Sequence, residues 1–391
     1  MESHFDEVIN RLETNSIKWD TLEDRYGSTE VLPMWIADMD FKTPKVVLDA
    51  LKNTLENCPV LGYTKAPDSL YEAIIDWQQQ KHNMSLTREA ILFSPGVVPS
   101  LALVVNAFTS PEDNVMIHDP VYPPFTSMIT ANQRKVLRSE LTIEDNQFVM
   151  NFEEMEQQFK TKNVKLFILC NPHNPGGRVW SKDELIQLSE LCYKYKVILV
   201  SDEIHGDLIF NPHRFTSVVT IDERYQDFVV TLTAATKTFN MAGTKNSMIY
   251  VYNEGLRNLL IQEQHKSEQS GINTFGYVAT EAAYRLGDDW LADCLDYLEG
   301  NLALVVDFFA TELPEVMVVK PQGTYLVWFN ASSLGLEDQA LTQHFVEVGK
   351  IGLNAGIDFG PAGSQFLRMN IATSRTTLVE ELKRIKYAFT H

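Results

Sequence analysis

Lys237 lies among small and hydroxyl side chains in Thr233-Ala-Ala-Thr-Lys-Thr-Phe-Asn-Met-Ala-Gly243, and upstream of it Ser201-Asp-Glu-Ile-His205 directly follows the apolar run Val197-Ile-Leu-Val200. A lysine amine forms Schiff bases with aldehydes, and a carboxylate at the end of a buried strand can keep a ring nitrogen protonated. Together the two segments suit pyridoxal 5'-phosphate (PLP), which carries its aldehyde on a pyridine ring. Each also has a plainer reading. Asp202 could simply cap the next element, although a buried carboxylate must be paired or neutralised. Asp202-Glu-Ile-His205 imitates the acidic box of a helicase or ATPase, but the chain has no GxxxxGK[ST] loop, and Gly349-Lys350 lacks both the preceding glycine and the hydroxyl. His205 reads as a packed histidine beside a site rather than as a general base.

Two further segments have the composition of small-molecule contacts. Asn171-Pro-His-Asn-Pro-Gly-Gly-Arg178 follows a buried run and so occupies a loop at a strand's carboxyl end. It is a turn by composition, and its prolines and glycines also hold the asparagine amides rigidly. Ser94-Pro-Gly-Val-Val-Pro99 joins a strand to the apolar helical run Leu101-Ala-Leu-Val-Val105. That junction is a plain strand-to-helix turn or a phosphate seat, because a helix start offers free backbone N–H groups and a positive dipole end.

The elements that must position these groups alternate. Short apolar runs at 91–93, 114–117, 164–169, 197–200, 228–232 and 248–252 read as strands, several buried on both faces. Between two of them Ser181-Lys-Asp-Glu184 forms a capping box, with Leu185, Leu188, Leu191 and Tyr195 at helical spacing behind it. This βαβ rhythm predicts a mostly parallel sheet covered by helices, with sites at the carboxyl ends of its strands. Later the pattern changes to a helical stretch over about 276–309, strands at 324–329 and 366–371, and a closing helix behind the capping box Thr377-Leu-Val-Glu380. A smaller α+β domain is expected there. The expected division is an N-terminal segment 1–45 that contributes to the small domain and the site rim, a large domain 46–285 and a small domain 286–391.

A length of 391 residues suits two domains, and 45% hydrophobic with 22% charged residues is ordinary for a globular protein. With 33 basic and 52 acidic residues the formal charge is −19, a field that repels nucleic acid and anionic membranes. Cys58, Cys170, Cys192 and Cys294 are far apart without a CxxC pair, so neither a disulfide framework nor a metal site is expected. Glu2, Asp6, Glu7 and Arg11 interrupt the opening residues, no apolar run approaches a membrane span, and a cytoplasmic location is expected.

From about residue 15 onward the chain resembles the fold-type I PLP-dependent enzymes in their aminotransferase class I/II form. The resemblance rests on the order and separation of the 94–99 loop, Asn171-Pro-His-Asn-Pro-Gly176, Asp202, Lys237 and Phe366-Leu-Arg368-Met-Asn370. More specifically, Trp19-Asp20, Leu32-Pro-Met-Trp-Ile-Ala-Asp-Met-Asp-Phe41, Leu61-Gly-Tyr63, Asp202-Glu-Ile-His205 and Lys237-Thr-Phe-Asn-Met-Ala-Gly243 resemble the MalY/PatB branch of cystathionine β-lyases, or C–S lyases. The implied fold is PLP-dependent transferase-like α/β: a large domain with a mostly parallel seven-stranded sheet sandwiched by helices, plus a smaller α+β domain.

The resemblance also implies roles. Lys237 carries PLP and then acts as the base at the substrate Cα. Asp202 binds the ring nitrogen, Tyr122 stacks on the ring, and Asn174 binds its phenolic oxygen and approaches the substrate. Val97 and Val98 offer N–H groups to the phosphate, while His205, Thr236 and Lys245 complete the cofactor's surroundings. Arg368 clamps the substrate α-carboxylate bidentately, and Ala37 adjoins the substrate. Tyr63 is implied to reach the phosphate of a neighbouring subunit in a homodimer with shared sites; its plainer reading is a buried core tyrosine. The chain departs from the family at Ala234, where relatives often carry serine, at Lys245, where many aminotransferases place arginine, and at Ile371-Ala-Thr-Ser-Arg375, in place of the branch's Ala-Cys-Pro-Arg ending.

Three functions are open on these residues, and the branch-specific segments favour the first, a lyase. Expulsion of a leaving group from Cβ makes a lyase that releases thiol, pyruvate and ammonia from cystathionine or another cysteine S-conjugate. Reprotonation on the cofactor makes an aminotransferase. The third is a binding or regulatory protein that keeps the fold without chemistry, against which intact Lys237, Asp202 and Arg368 argue.

Overall fold

Runs rich in Val, Ile and Leu form strands that are buried on both faces once helices cover them. A computed structural model of the protein describes residues 3–391. Its central sheet has seven strands in the spatial order Ile91–Ser94, Ser247–Tyr250, Val229–Thr233, Ile198–Asp202, Val164–Cys170, Asn114–Asp119 and Lys135–Glu140. Ser247–Tyr250 runs antiparallel to both its neighbours, and all other pairs are parallel. The mostly parallel seven-stranded sheet of the fold-type I enzymes is therefore present.

Alternation along each strand sorts the core into two layers. Val115, Ile117, Leu166, Ile168 and Val200 share a cluster with Leu101 and Val104 of helix Val97–Phe108. Met116, Phe167, Leu169 and Leu199 belong instead with Leu185, Leu188 and Cys192 of helix Lys182–Tyr195. That helix begins at the expected box: Ser181 Oγ accepts from Glu184 N at 3.3 Å, and Glu184 Oε2 accepts from Ser181 N at 2.7 Å. The same period of two separates Asp202 from Glu203 at the strand's end. Asp202 faces the Val97–Phe108 side, while Glu203 Oε1 accepts from Ser201 Oγ at 2.8 Å within the other layer.

A second sheet orders Val318–Val319, Leu326–Asn330, Phe366–Asn370 and Asn354–Ala355, all antiparallel. The N-terminal segment joins this end of the chain, since Leu32–Pro33 pairs in parallel with Ile351–Gly352. Beyond that pairing, residues 34–41 form a strap held from several sides. Arg11 grips Asp38 at 2.7 and 3.1 Å and also reaches Asp40 at 2.7 Å. Lys18, buried to 1% exposure, pairs with Asp40 at 2.7 Å, and Trp19 Nε1 donates to the same carboxylate at 2.9 Å. Removing one partner would leave a buried charge uncompensated, so the network fixes the strap even if its net contribution to stability is small.

Three expectations need correction. The helical stretch over 276–309 is two helices, Thr274–Leu286 and Asp288–Glu312; Gly287 N–H closes the first on Ala283 O at 2.8 Å, and Asp288 and Asp289 open the second. The closing helix runs Arg375–Thr390, and its cap is Ser374, whose Oγ accepts from Thr377 N at 3.2 Å, so Thr377 lies inside the first turn. Lys135–Glu140 was not expected as a strand, because an edge strand of mixed charged and apolar residues carries no continuous apolar run. Among the described residues no helix is long and apolar enough to cross a membrane.

Candidate active site

The strand ends and helix starts meet around one cavity of about 400 Å³, lined by Ala37, Val97, Val98, Tyr122, Asn174, Asp202, His205, Thr236, Lys237 and Lys245. Arg368 stands just behind this wall, donating from Nη1 to Asn174 Oδ1 at 2.9 Å. Tyr63 lies elsewhere. It is fully exposed in a stretch where Val60 and Leu61 are exposed too, so the buried-core reading of this tyrosine does not hold.

Lys237 sits on the short helix Ala235–Thr238, directly after strand Val229–Thr233. Its Nζ donates to the Ala37 carbonyl of the strap. Burial lowers its pKa to about 8, and Arg368 adds to the shift against the opposing charges of Asp38 and Asp202, which leaves roughly a tenth as free amine at pH 7. Asp202 accepts from Ile204 N at 3.2 Å, so it does cap the local turn while its carboxylate also lines the cavity. Burial pushes its pKa up to about 7, with a further push from Glu203. A cationic ring N–H is the partner that such a carboxylate lacks. Burial holds His205 down at about 3, so its imidazole is neutral, and Nδ1 is buried without a partner. These values agree with a packed histidine and not with a base.

On the opposite wall Gly96 precedes helix Val97–Phe108 without any side-chain cap, leaving the first N–H groups of the helix toward the cavity. Lys245 and Thr236 line the same space, adding a cation and a hydroxyl that suit a phosphate. Tyr122, just ahead of helix Pro123–Ala131, has its phenol pKa raised by burial and stays protonated.

Arg368 is 4% exposed. Its Nη2 donates to Trp35 O at 2.7 Å and Asn354 Oδ1 at 2.6 Å, its guanidinium lies 4.9 Å from the Phe359 ring centre, and Nε is buried without a partner. Burial lowers its pKa to about 10, so it remains charged at neutral pH. Among the described residues it forms no ion pair. A buried guanidinium held by neutral acceptors is suited to an incoming carboxylate. Sequence reasoning missed Asn354, Cys170 and Asn246 around this site. Cys170 and Asn246 adjoin recognised segments, but Asn354 meets Arg368 only through the antiparallel pairing of two short strands and gives no local signal.

The groups present fit PLP: an amine for its aldehyde, a carboxylate for its ring nitrogen, an aromatic ring, an amide, and a helix start with a lysine and a threonine for its phosphate. Glu203, one residue from Asp202, tests how strongly burial acts here. Its pKa is pushed up to about 7 from 4.5, chiefly by burial, so the folded state favours the neutral acid. The corresponding stability is fully present below about pH 4.5 and is lost as pH rises through 7. Glu203→Gln is therefore expected to leave the urea midpoint nearly unchanged at pH 5 and to stabilise the protein at pH 8 by about 1–3 kcal/mol. A variant equally or more destabilised at pH 8 than at pH 5 would contradict this.

The aminotransferase class I and II family model matches residues 29–385. Cystathionine beta-lyase PatB of Bacillus subtilis is 40% identical over 98% of this chain and 99% of its own. Among solved structures, a PLP-bound protein of Clostridium difficile 630, provisionally named an aminotransferase, is 42% identical with a TM-score of 0.96, covering 98% of this chain and 99% of that one. Cystalysin of Treponema denticola, which contains PLP, is 34% identical at a TM-score of 0.96, with 100% and 99% covered. The lysine, strand-end carboxylate, helix start and buried arginine thus converge within a chain that belongs to the aminotransferase class I and II family, in the branch that holds PatB.

Proposed function

We propose that the chain is a PLP-dependent C–S β-lyase that cleaves L-cystathionine or a related cysteine S-conjugate to thiol, pyruvate and ammonia. The observation that carries this reading is the convergence of Lys237, Asp202 and the Asn174–Arg368 pair on one cavity, in a chain 40% identical to a cystathionine beta-lyase. Bound PLP supplies an electron-accepting ring that makes loss of the Cα proton, and then of the Cβ sulfur, accessible. The protein's own groups do the rest. Arg368 receives the substrate α-carboxylate, with Asn354 and the Trp35 carbonyl fixing its plane. Lys237 holds the cofactor and then takes the Cα proton as a neutral amine. Asp202 keeps a proton on the ring nitrogen, Tyr122 covers the ring face, Asn174 holds its phenolic oxygen, and Val97, Val98, Thr236 and Lys245 hold the phosphate. His205 acts as a neutral wall beside the ring, and Ala37 borders the substrate.

Supplying L-cystathionine without any keto acid tests the reaction class. Pyruvate and homocysteine are expected to accumulate over many turnovers. The second reading, an aminotransferase of unknown amino-acid and keto-acid pair, is favoured by the likeness to the C. difficile protein. It replaces the first if turnover requires an added 2-keto acid and no pyruvate arises from the cysteine moiety.

Exposed Val60, Leu61 and Tyr63 support a homodimer in which Tyr63 completes the partner's phosphate site. We divide the chain at about 46 and 286, with residues 1–45 serving the small domain and site rim. Four unpaired thiols, Cys58, Cys170, Cys192 and Cys294, suit a cytoplasmic enzyme.

A further inference from the structure

Four consecutive carbonyls of the strap are each received by a specific donor. Trp35 O accepts from Arg368 Nη2 at 2.7 Å, and Asn370 Nδ2 spans Ile36 O at 2.7 Å and Asp38 O at 2.6 Å. Between them the Ala37 carbonyl is shared, taking one hydrogen bond from Lys237 Nζ and another, at 3.0 Å, from the Tyr325 hydroxyl. Tyr325 is fully buried at the head of strand Leu326–Asn330, beside the His205 ring at 5.9 Å. It is not on the cavity wall and takes no part in the roles described above.

We infer that Tyr325 is a positioning residue for Lys237: its hydroxyl fixes the Ala37 carbonyl so that this oxygen receives one hydrogen of the freed lysine amine and turns the nitrogen lone pair toward the substrate Cα. The inference rests on Lys237 being the reacting amine. In the step concerned the Cα–H bond breaks, its proton passes to Nζ to give an ammonium, and its electron pair stays with the substrate. An amine with one N–H committed to a fixed carbonyl samples few orientations, so its lone pair starts the transfer aligned. Tyr325 has an electrostatic effect as well. An oxygen that already accepts from a phenol offers less electron density to a second donor, and an ammonium gains more from a strong acceptor than an amine does. Sharing the carbonyl therefore favours the neutral amine. The other groups facing Lys237 are Asp38 of the strap, Asp202 at its strand end, His205 and Arg368, and Tyr325→Phe keeps the ring that packs against His205 while removing only the hydroxyl.

The test compares Tyr325→Phe with a chain carrying 3-fluorotyrosine at position 325, a stronger donor of nearly unchanged shape that guards against a packing effect of the phenylalanine. In the full chain stripped of cofactor, the pH midpoint of Lys237 acylation is read by peptide mass spectrometry. Tyr325→Phe is expected to raise that midpoint by at least about half a unit, roughly threefold in the amine-to-ammonium ratio, and fluorotyrosine to lower it. In the PLP-loaded enzyme Tyr325→Phe is expected to lower kcat about tenfold with KM within about twofold, and to move the acid limb of kcat upward. Midpoints unchanged in both proteins, or moving in the same direction, overturn the inference. If borohydride instead fixes PLP on a lysine other than Lys237, the proposed function fails at its root, an outcome recognisable without either variant.

Discussion

Lys237→Ala is expected to lower turnover by about ten-thousandfold or more, because one side chain both holds the cofactor and accepts the Cα proton. The helix Ala235–Thr238 does not depend on the amine, since Thr238 Oγ1 donates to Asp207 Oδ2 at 2.8 Å and anchors that turn independently. The fold should persist, and a small primary amine in the buffer should restore part of the rate. Borohydride treatment of the wild-type protein with PLP should place the label on Lys237. Peptide mapping to Lys245, the other lysine on the cavity wall, would reverse the assignment of the two residues.

Asp202→Asn is expected to cost at least about a hundredfold in turnover, the lower end of what a positioned acid–base group contributes. The amide can still accept from Ile204 N–H but cannot hold a cationic ring nitrogen. Stability should move the other way. Burial has pushed the Asp202 carboxyl to about 7 from 3.8, so between those values the native state binds the extra proton, and at pH 8 its charge is carried at a cost. Without bound cofactor the variant should therefore be at least as resistant to urea at pH 8 as wild type. A loss of rate accompanied by a loss of fold would point to a structural aspartate, and near-wild-type turnover would refute its role at the ring nitrogen.

Much of this was legible in the residues. Within strand Val164–Cys170 the run 166–170 is continuous and apolar, and Ser181 with Glu184 marks a helix start by local bonds alone. Asp202, Lys237 and the helix at Val97 could be placed because each directly follows or precedes such an element. The strap was legible only as a resemblance: Leu32-Pro-Met-Trp-Ile-Ala-Asp-Met-Asp-Phe41 carries no periodicity that explains it. Its reasons lie far away in the chain. Asn240 accepts from Met39 N at 3.0 Å and donates to Met39 O and Phe41 O, while Arg368 takes the Trp35 carbonyl and Asn370 those of Ile36 and Asp38. Side-chain to backbone bonds across hundreds of residues leave no local pattern. The edge strand Lys135–Glu140 and the break at Gly287 were hidden for a different reason, since mixed exposure and a single glycine look alike in strand, loop and helix.

The strand Ser247–Tyr250, which alone in the central sheet runs against its neighbours, has a consequence for how such sites can diverge. A parallel strand at that place would require the chain to cross back over the sheet to the amino ends of the strands before entering it. Running the other way, it lets the chain leave Val229–Thr233 and re-enter the sheet at the same end of the strands, so Thr236, Lys237, Ala242, Lys245 and Asn246 all arrive on the single stretch 234–246. Both ends of that stretch are anchored in adjacent strands. It is a cassette: a short, doubly tethered piece of sequence that could be exchanged between relatives to alter the surroundings of the lysine while the strand order, the strap and the arginine stay as they are.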